Sequence, residues 1–132
     1  MRFIDANVFI YILVKSPKEA YETSKQILKR IENGEEALTS TAVIQEVVDW
    51  LEYNNRKREV ESFIIAINSY LTMNKINTTW DDMLTALDDM EKHDMGFVDA
   101  LTLQTMKKNN IKEIYSNDRD FDRIKWIKRI WE

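Results

Sequence analysis

Short apolar segments alternate with longer amphipathic segments along this chain, and that alternation restricts the fold more than any other feature. The short segments have the character of buried strands, whereas the longer segments repeat apolar residues at helical spacing. The predicted strands span residues 2–5, 37–39, 75–78, 111–115 and 126–131. The predicted helices lie between them, at residues 8–13, 17–32, 41–51, 59–71, 79–90 and 97–108. This order indicates an α/β fold, a three-layer α/β/α sandwich around a central, mostly parallel sheet.

Several residues have the chemistry expected at helix ends. Asn7 is predicted to cap the first helix and Ser16 the second, with Pro17 at the first helical position. The predicted inner face of the fourth helix consists of Val60, Phe63, Ile64 and Ile67. The predicted fifth helix, which Thr79 and Asp82 could open, carries the apolar residues Met83, Leu84, Leu87 and Met90. The apolar spacing is typical of helices that pack against a core.

The length and composition suit one domain spanning residues 1–132. The chain has 132 residues, of which 44% are hydrophobic, so it can bury a substantial core. No apolar run approaches the roughly 20 residues that a membrane-spanning helix needs. Asp5 interrupts the apolar opening, which is therefore unlike a signal peptide. We expect a cytoplasmic protein.

The scarcity of cysteine and histidine excludes several chemistries. The chain has no cysteine, so it has no thiolate metal site and no cysteine nucleophile. Its one histidine is His93, which leaves little basis for a Ser-His-Asp triad or an imidazole-rich zinc site. Any metal would have oxygen ligands, which suit magnesium or manganese.

The net charge of −4 argues at first against binding to nucleic acid. Net charge hides distribution, however, and basic residues cluster at 56–58, at 107–108 and within 123–129. These clusters are interpreted either as phosphate contacts or as ordinary soluble surface.

Four acids occupy positions at which a parallel sheet binds ligands. Asp5 and Asp118 follow the first and fourth predicted strands, and Glu46 and Asp99 lie near the starts of helices. Each acid alone has an ordinary explanation, as a helix cap, a turn residue, a solvent-facing side chain or a partner of the helix dipole. Together they would repel one another unless a cation neutralised them. The pattern predicts a divalent metal site suited to phosphodiester hydrolysis.

These acids and their neighbours resemble the PIN-domain family and, within it, the VapC-type toxins of toxin–antitoxin pairs. The resemblance lies in four blocks that cover most of the chain: Asp5-Ala6-Asn7-Val8, Ser40 with Glu46, Phe97-Val98-Asp99-Ala100-Leu101, and Ser116-Asn117-Asp118-Arg119-Asp120-Phe121. Ala6 and Ser116 stand where threonine is frequent in the family, so the chain departs from the common pattern next to two of the acids.

The resemblance implies a Mg²⁺- or Mn²⁺-dependent endoribonuclease with Asp5, Glu46, Asp99 and Asp118 as catalytic acids. Asp5, Asp99 and Asp118 would hold the metal, and the supporting residues would be Asn7, Ser40 and Asp120. It further implies an RNA substrate, a cognate antitoxin and a homodimer. Hydrolysis by a metal-activated water would leave a 5′-phosphate on the product.

Other functions remain open from the sequence. A phosphatase of the haloacid-dehalogenase type needs a second acid two residues after the first, and Asn7 occupies that position. A receiver domain would need paired early acids. A PIN-like domain that binds RNA or protein without cutting it is the main alternative. The aromatic residues at positions 50, 53, 80, 126 and 131 are interpreted as core or as a partner surface.

Overall fold

A five-stranded sheet forms the centre of the computed structural model, which describes residues 1–132. The strands are β1 (Arg2–Ile4), β2 (Ala37–Ser40), β3 (Met73–Ile76), β4 (Glu113–Tyr115) and β5 (Lys128–Ile130). Their spatial order is β3-β2-β1-β4-β5, and every neighbouring pair is parallel. The α/β fold with a central parallel sheet is therefore confirmed.

Six α-helices connect and cover the strands. They are α1 (Ala6–Val14), α2 (Lys18–Glu32), α3 (Thr41–Tyr53), α4 (Val60–Ser69), α5 (Trp80–His93) and α6 (Phe97–Lys108). Two short 3₁₀ segments, Lys57–Glu59 and Arg119–Arg123, complete the elements. None of the helices combines the length and the apolar character that crossing a membrane requires.

The strand order places a topological switch point between β1 and β4. The chain proceeds outward from β1 through β2 to β3, and then returns through α5 and α6 to the other side of β1. In open parallel sheets, ligands bind beyond the carboxyl ends of the strands where the direction of winding reverses. Asp5 directly follows β1, and Ser116 directly follows β4. The two residues therefore lie at the expected location of a site.

The core forms where the sheet contacts the apolar helix faces. Phe3, Ile4 and Ile114 are fully buried in the central strands, and Val43 and Val47 are fully buried on α3. Burying a side chain of this size contributes about 1.5–3 kcal/mol. The helical spacing of the apolar residues on α3 is thus matched by its packing.

Two predicted caps are wrong. Asp5, and not Asn7, caps α1, because its carboxylate accepts a hydrogen bond from the backbone amide of Ala6 at 2.8 Å. Ser16 does not cap α2, which begins at Lys18 after Pro17 without any side-chain cap. Residues on either side of a helix start compete for the same role, and tertiary contacts decide between them.

Of the four apolar residues that the sequence placed on α5, Met83 and Met90 pack against the core, whereas Leu84 and Leu87 do not. Leu84 and Leu87 are 52% and 53% exposed, whereas Asp82, Ala86 and Asp89 are buried. Lysines of α6 neutralise the two buried acids, as described below. On α4, Phe63 and Ile67 are buried as predicted, but Ile64 is 42% exposed. Apolar spacing alone does not distinguish exposed residues such as Ile64, Leu84 and Leu87 from the buried ones.

The third strand begins and ends two residues earlier than predicted. β3 pairs with β2 in parallel, so that Met73 lies beside Ala37 and Ile76 beside Ser40. Met73 is buried, whereas the residues after Ile76 lead into the capping box of α5 formed by Thr79 and Asp82. Pairing with β2 sets the register of this strand, which its own sequence did not reveal.

Candidate active site

Asp5 is held rigidly at the end of β1. Its backbone amide donates to the carbonyl oxygen of Tyr115 at 3.1 Å, which continues the pairing of β1 with β4 by one residue. One carboxylate oxygen accepts from the amide of Ala6 at the start of α1. The side chain is 4% exposed. Asp5 is therefore both a helix cap and a buried carboxylate at the carboxyl end of β1.

Ser116 links the acids of the two central strands. Its hydroxyl donates to Asp5 Oδ2 at 2.6 Å and accepts from the backbone amide of Asp118 at 3.0 Å. The residue is fully buried. From the sequence alone Ser116 was recognised only as a replacement for threonine, and this role was not predicted. A small hydroxyl residue directly after a buried strand and two residues before an acid is the signal that could have found it.

Asn7 lies beside the same pair of residues. Its Nδ2 donates to Ser116 Oγ at 3.1 Å and to Asp5 Oδ2 at 3.3 Å, and its Oδ1 accepts from the amide of Asn117 at 3.2 Å. The side chain thus ties the first turn of α1 to the loop after β4. This position is compatible with the supporting role predicted for Asn7.

Three acids in this region repel one another. Burial, together with the charges of Glu46 and Asp118, raises the pKa of Asp5 to about 6. Burial and the charges of Asp5, Asp118 and Asp120 raise the pKa of Asp99 to about 7. Burial and the charges of Asp99 and Asp118 likewise raise the pKa of Glu46. The four predicted acids therefore lie within electrostatic reach of each other.

No basic side chain neutralises this group. The ion pairs of the protein involve other acids, and none includes Asp5, Glu46, Asp99 or Asp118. Burial without a neighbouring cation disfavours the charged form of a carboxyl group, and this raises the pKa values of these acids. The geometry leaves a concentrated negative potential at the carboxyl end of the sheet.

Asp118 and Asp120 occupy the loop after β4. One carboxylate oxygen of Asp118 accepts from the backbone amide of Asp120 at 2.9 Å, which caps the 3₁₀ segment Arg119–Arg123. Asp120 is exposed, but its charge acts on Asp99. Asp120 therefore lies at the rim of the acidic group.

Ser40 has a different role from the other predicted supports. It caps α3, because its Oγ accepts from the backbone amide of Val43 at 3.2 Å. The capping bond sets the start of α3 and hence the position of Glu46 on it. No hydrogen bond joins Ser40 to any of the four acids. Its contribution to the site is indirect.

The acids fit a hard divalent cation in their chemistry, although their side chains stand apart. No three acidic or histidine side chains lie close enough together to ligate one ion in these positions. Carboxylate oxygens are the ligands that Mg²⁺ and Mn²⁺ prefer.

Each of the predicted basic clusters has at least one residue engaged in an ion pair. Lys107 and Lys108 bind Asp89 and Asp82 at 3.2 and 2.8 Å. Arg56 pairs with Glu59, and Arg129 pairs with Asp122 at 2.9 Å. These four basic residues therefore form ion pairs within the fold besides adding positive charge to the surface.

Comparison with known proteins identifies the family. A family model described as PIN domain matches residues 2–127. No curated protein sequence matches the chain significantly.

Three solved structures share the fold. VapC20 of Mycobacterium tuberculosis, a toxin that cleaves the sarcin–ricin loop, is 21% identical with a TM-score of 0.79, covering 93% of this chain and 94% of its own. A toxin–antitoxin complex from Klebsiella pneumoniae is 19% identical with a TM-score of 0.67, covering 97% and 96%. VapBC2 of Rickettsia felis, bound to a DNA fragment from its promoter, is 17% identical with a TM-score of 0.71, covering 99% and 98%. On the strength of the family match across nearly its whole length, the chain belongs to the PIN-domain family.

Proposed function

We propose that this protein is a metal-dependent endoribonuclease and the toxin of a type II toxin–antitoxin pair. The observation that carries the proposal is the group of mutually repelling acids at the switch point, of which Asp5 and Asp99 have pKa values raised to about 6 and about 7. Such a group costs stability unless it binds a cation. The similarity of the whole chain in fold to three structures of toxins or toxin–antitoxin complexes also supports the proposed function.

Asp5, Asp99 and Asp118 are the proposed ligands of Mg²⁺ or Mn²⁺, with Glu46 as a further ligand or as the residue that orients water. When bound, the ion would lower the pKa of a water molecule and stabilise charge on the phosphoryl group. Ser116 and Asn7 hold Asp5 Oδ2 by hydrogen bonds of 2.6 and 3.3 Å. These bonds orient the carboxylate before a metal or substrate arrives. Asp120 is proposed to act from the rim of the site.

The test is cleavage of RNA by the purified protein in Mg²⁺ or Mn²⁺. We expect endonucleolytic products with 5′-phosphate ends, and no cleavage in EDTA. Full activity in EDTA, or in an Asp5→Asn variant that remains folded, would refute the mechanism. The alternative, a non-catalytic binding domain, predicts no cleavage at all. Calorimetric titration with Mn²⁺ would show whether the acids bind metal in either case.

An antitoxin is the proposed regulatory partner, and the groove between α3 and α4 is its proposed binding site. The groove has a volume of about 430 Å³ and is lined by Ile44, Val48, Ile64 and Ile67. An amphipathic helix binds such a groove through its apolar face. Two of the similar structures are toxin–antitoxin assemblies. We expect Ile64→Glu to escape inhibition by the cognate antitoxin while it retains nuclease activity; equal inhibition of both proteins would reject this site.

A homodimer in the cytoplasm is the proposed state of the free protein. Trp80, Leu84 and Leu87 form an exposed apolar stripe on α5, and a second copy of the same stripe would cover it in a two-fold dimer. Leu84→Glu should then convert the dimer to a monomer in light-scattering measurements. Leu71→Glu, at a residue that is 94% exposed and outside the stripe, is the matched control. A wild-type monomer at micromolar concentration would exclude the dimer.

A further inference from the structure

A groove opens directly beside the acidic group. It has a volume of about 520 Å³ and lies between the first turns of α3 and α6 and the start of α5. Its lining includes Gln45, Glu46, Asp49, Met83, Phe97 and Val98. Because Glu46 belongs both to this lining and to the acidic group, whatever occupies the groove lies next to the proposed site of cleavage.

One wall of the groove is apolar and carries an exposed aromatic ring. Phe97 is the first residue of α6, two positions before Asp99, and it is 37% exposed. Met83 and Val98 extend this wall. Exposed aromatic rings next to a nucleic-acid site bind unpaired bases by stacking, and this contact accepts any base because every base has a flat face.

The opposite wall offers hydrogen-bond acceptors. Gln45 Nε2 donates to Asp49 Oδ1 at 2.9 Å. A carboxylate can only accept, so the amide nitrogen of Gln45 must face Asp49, and its carbonyl oxygen is left available. Together with the second oxygen of Asp49 and the carboxylate of Glu46, this wall is rich in acceptors. Such a surface repels phosphate and favours a group that donates hydrogen bonds.

We propose that this groove binds one unpaired nucleobase that carries an exocyclic amino group, adjacent to the scissile phosphate. Phe97 stacks on the base, and Asp49 with Gln45 accepts from its amino group. Cytosine, adenine and guanine present such a donor, whereas uracil presents a carbonyl oxygen in its place. The proposal rests on the proposed ribonuclease function, and it assigns Phe97 to affinity and Asp49 to base preference.

The test is the binding of fluorescein-labelled RNA hexamers of adenine, cytosine or uracil, measured by anisotropy in Mg²⁺. An Asp99→Asn background prevents cleavage during the measurement. We expect cytosine and adenine hexamers to bind about 10-fold more tightly than the uracil hexamer. Asp49→Asn should abolish this ratio, and Phe97→Ala should weaken all three hexamers by about 10-fold or more. Removing a negative charge affects every hexamer alike, so the ratio isolates base recognition.

Two matched controls lie outside the groove. Glu52→Gln changes an exposed acid one turn further along α3, and Tyr53→Ala removes an aromatic ring that is 88% exposed. Neither should change the affinity ratio. Equal binding of all three hexamers, or a preference that survives Asp49→Asn, would overturn the proposal. So would a Phe97→Ala variant that binds RNA normally but changes oligomeric state, because the groove would then be a protein interface.

Failure of the proposed function has a different signature. If the wild-type protein cleaves no RNA in Mg²⁺ or Mn²⁺, the ribonuclease assignment fails whatever the hexamers show. If it cleaves RNA but the affinity ratio is absent, only the base-binding groove is rejected.

Discussion

Helix α6 has a group of aspartates at each end. The aspartates at its start have other acids as neighbours, whereas those at its end have lysines. At the start of the helix, Asp99 faces Asp5 and Asp118, and its pKa is raised to about 7 by burial and by these charges. At the end of the helix, Lys108 binds Asp82 of α5 at 2.8 Å. Although burial opposes it, hydrogen bonds from Lys108 and Thr79 lower the pKa of Asp82.

The difference distinguishes a cluster of acids that the protein neutralises itself from the proposed metal site, which it leaves without a cation. The lysines at the end of α6 show that this fold readily supplies cations to buried acids, and Asp89 receives a second one from Lys107 at 3.2 Å. The absence of any such cation around Asp99 leaves room for one from solution. Residues that destabilise the free protein while they stay buried are characteristic of functional sites.

The sharpest way to break this comparison is to neutralise one acid at each end and compare nuclease activity. Asp99→Asn should reduce the RNA cleavage rate by at least about 100-fold, because loss of a proposed metal ligand should cost more than loss of a residue that only supports a ligand, which costs about 10–100-fold. Asp82→Asn should leave the rate within a few-fold of wild type at a temperature where it is folded. Rates in Mg²⁺ with matched circular dichroism spectra test both, and similar losses in the two variants would contradict the distinction.

Stability should respond in the reverse order. Asp82→Asn removes the partner of Lys108 and weakens the acceptor for the backbone amide of Thr79 at 3.0 Å. We expect the free energy of unfolding to fall by roughly 1–3 kcal/mol, measured by urea denaturation. Asp81→Asn, at an exposed acid one residue earlier, is the control and should have little effect. An unchanged midpoint for Asp82→Asn would show that the ion pair contributes nothing.

The pH dependence of stability should have opposite signs at the two ends. The pKa of Asp99 is higher in the folded state, at about 7, than the ordinary value of 3.8 in the unfolded chain. The contribution of Asp99 to stability is therefore fully present below the unfolded-state pKa and is lost as the pH rises through about 7. Without metal, Asp99→Asn should therefore be more stable than wild type by about 1 kcal/mol at pH 8 and no more stable at pH 4.

For Asp82, the lowered pKa gives stability that is present above about 3.8 and is lost as pH falls through the lower folded-state value. The loss in Asp82→Asn should therefore be full at pH 8 and shrink below pH 4. Urea denaturation at three pH values in EDTA tests both variants. Parallel pH profiles for the two variants would be inconsistent with the assigned charges.

The smallest expected effect is thermal stabilisation by Mg²⁺. At a concentration equal to its dissociation constant, a ligand stabilises the folded state by about 0.4 kcal/mol, which for a domain of this size is equivalent to roughly 1–2 °C in Tm. The shift should be larger at pH 8 than at pH 5, because protonated Asp5 and Asp99 bind metal poorly. It should disappear in Asp99→Asn and persist in Lys107→Gln. Equal shifts in both variants would place the ion elsewhere.

The sequence by itself determined the order of strands and helices, including the bounds of α6 at Phe97–Lys108. It also determined that each of the four acids lies close to the end of a strand or the start of a helix. These features are local, since they follow from apolar periodicity and from acids placed next to strand or helix ends. Tertiary structure decided what each element faces. The buried charges of Asp82 and Asp89 on α5 are neutralised by Lys108 and Lys107, which are distant in sequence. Ser116 joins Asp5 to Asp118 only because β1 and β4 are neighbours in the sheet, a pairing that no local pattern specifies.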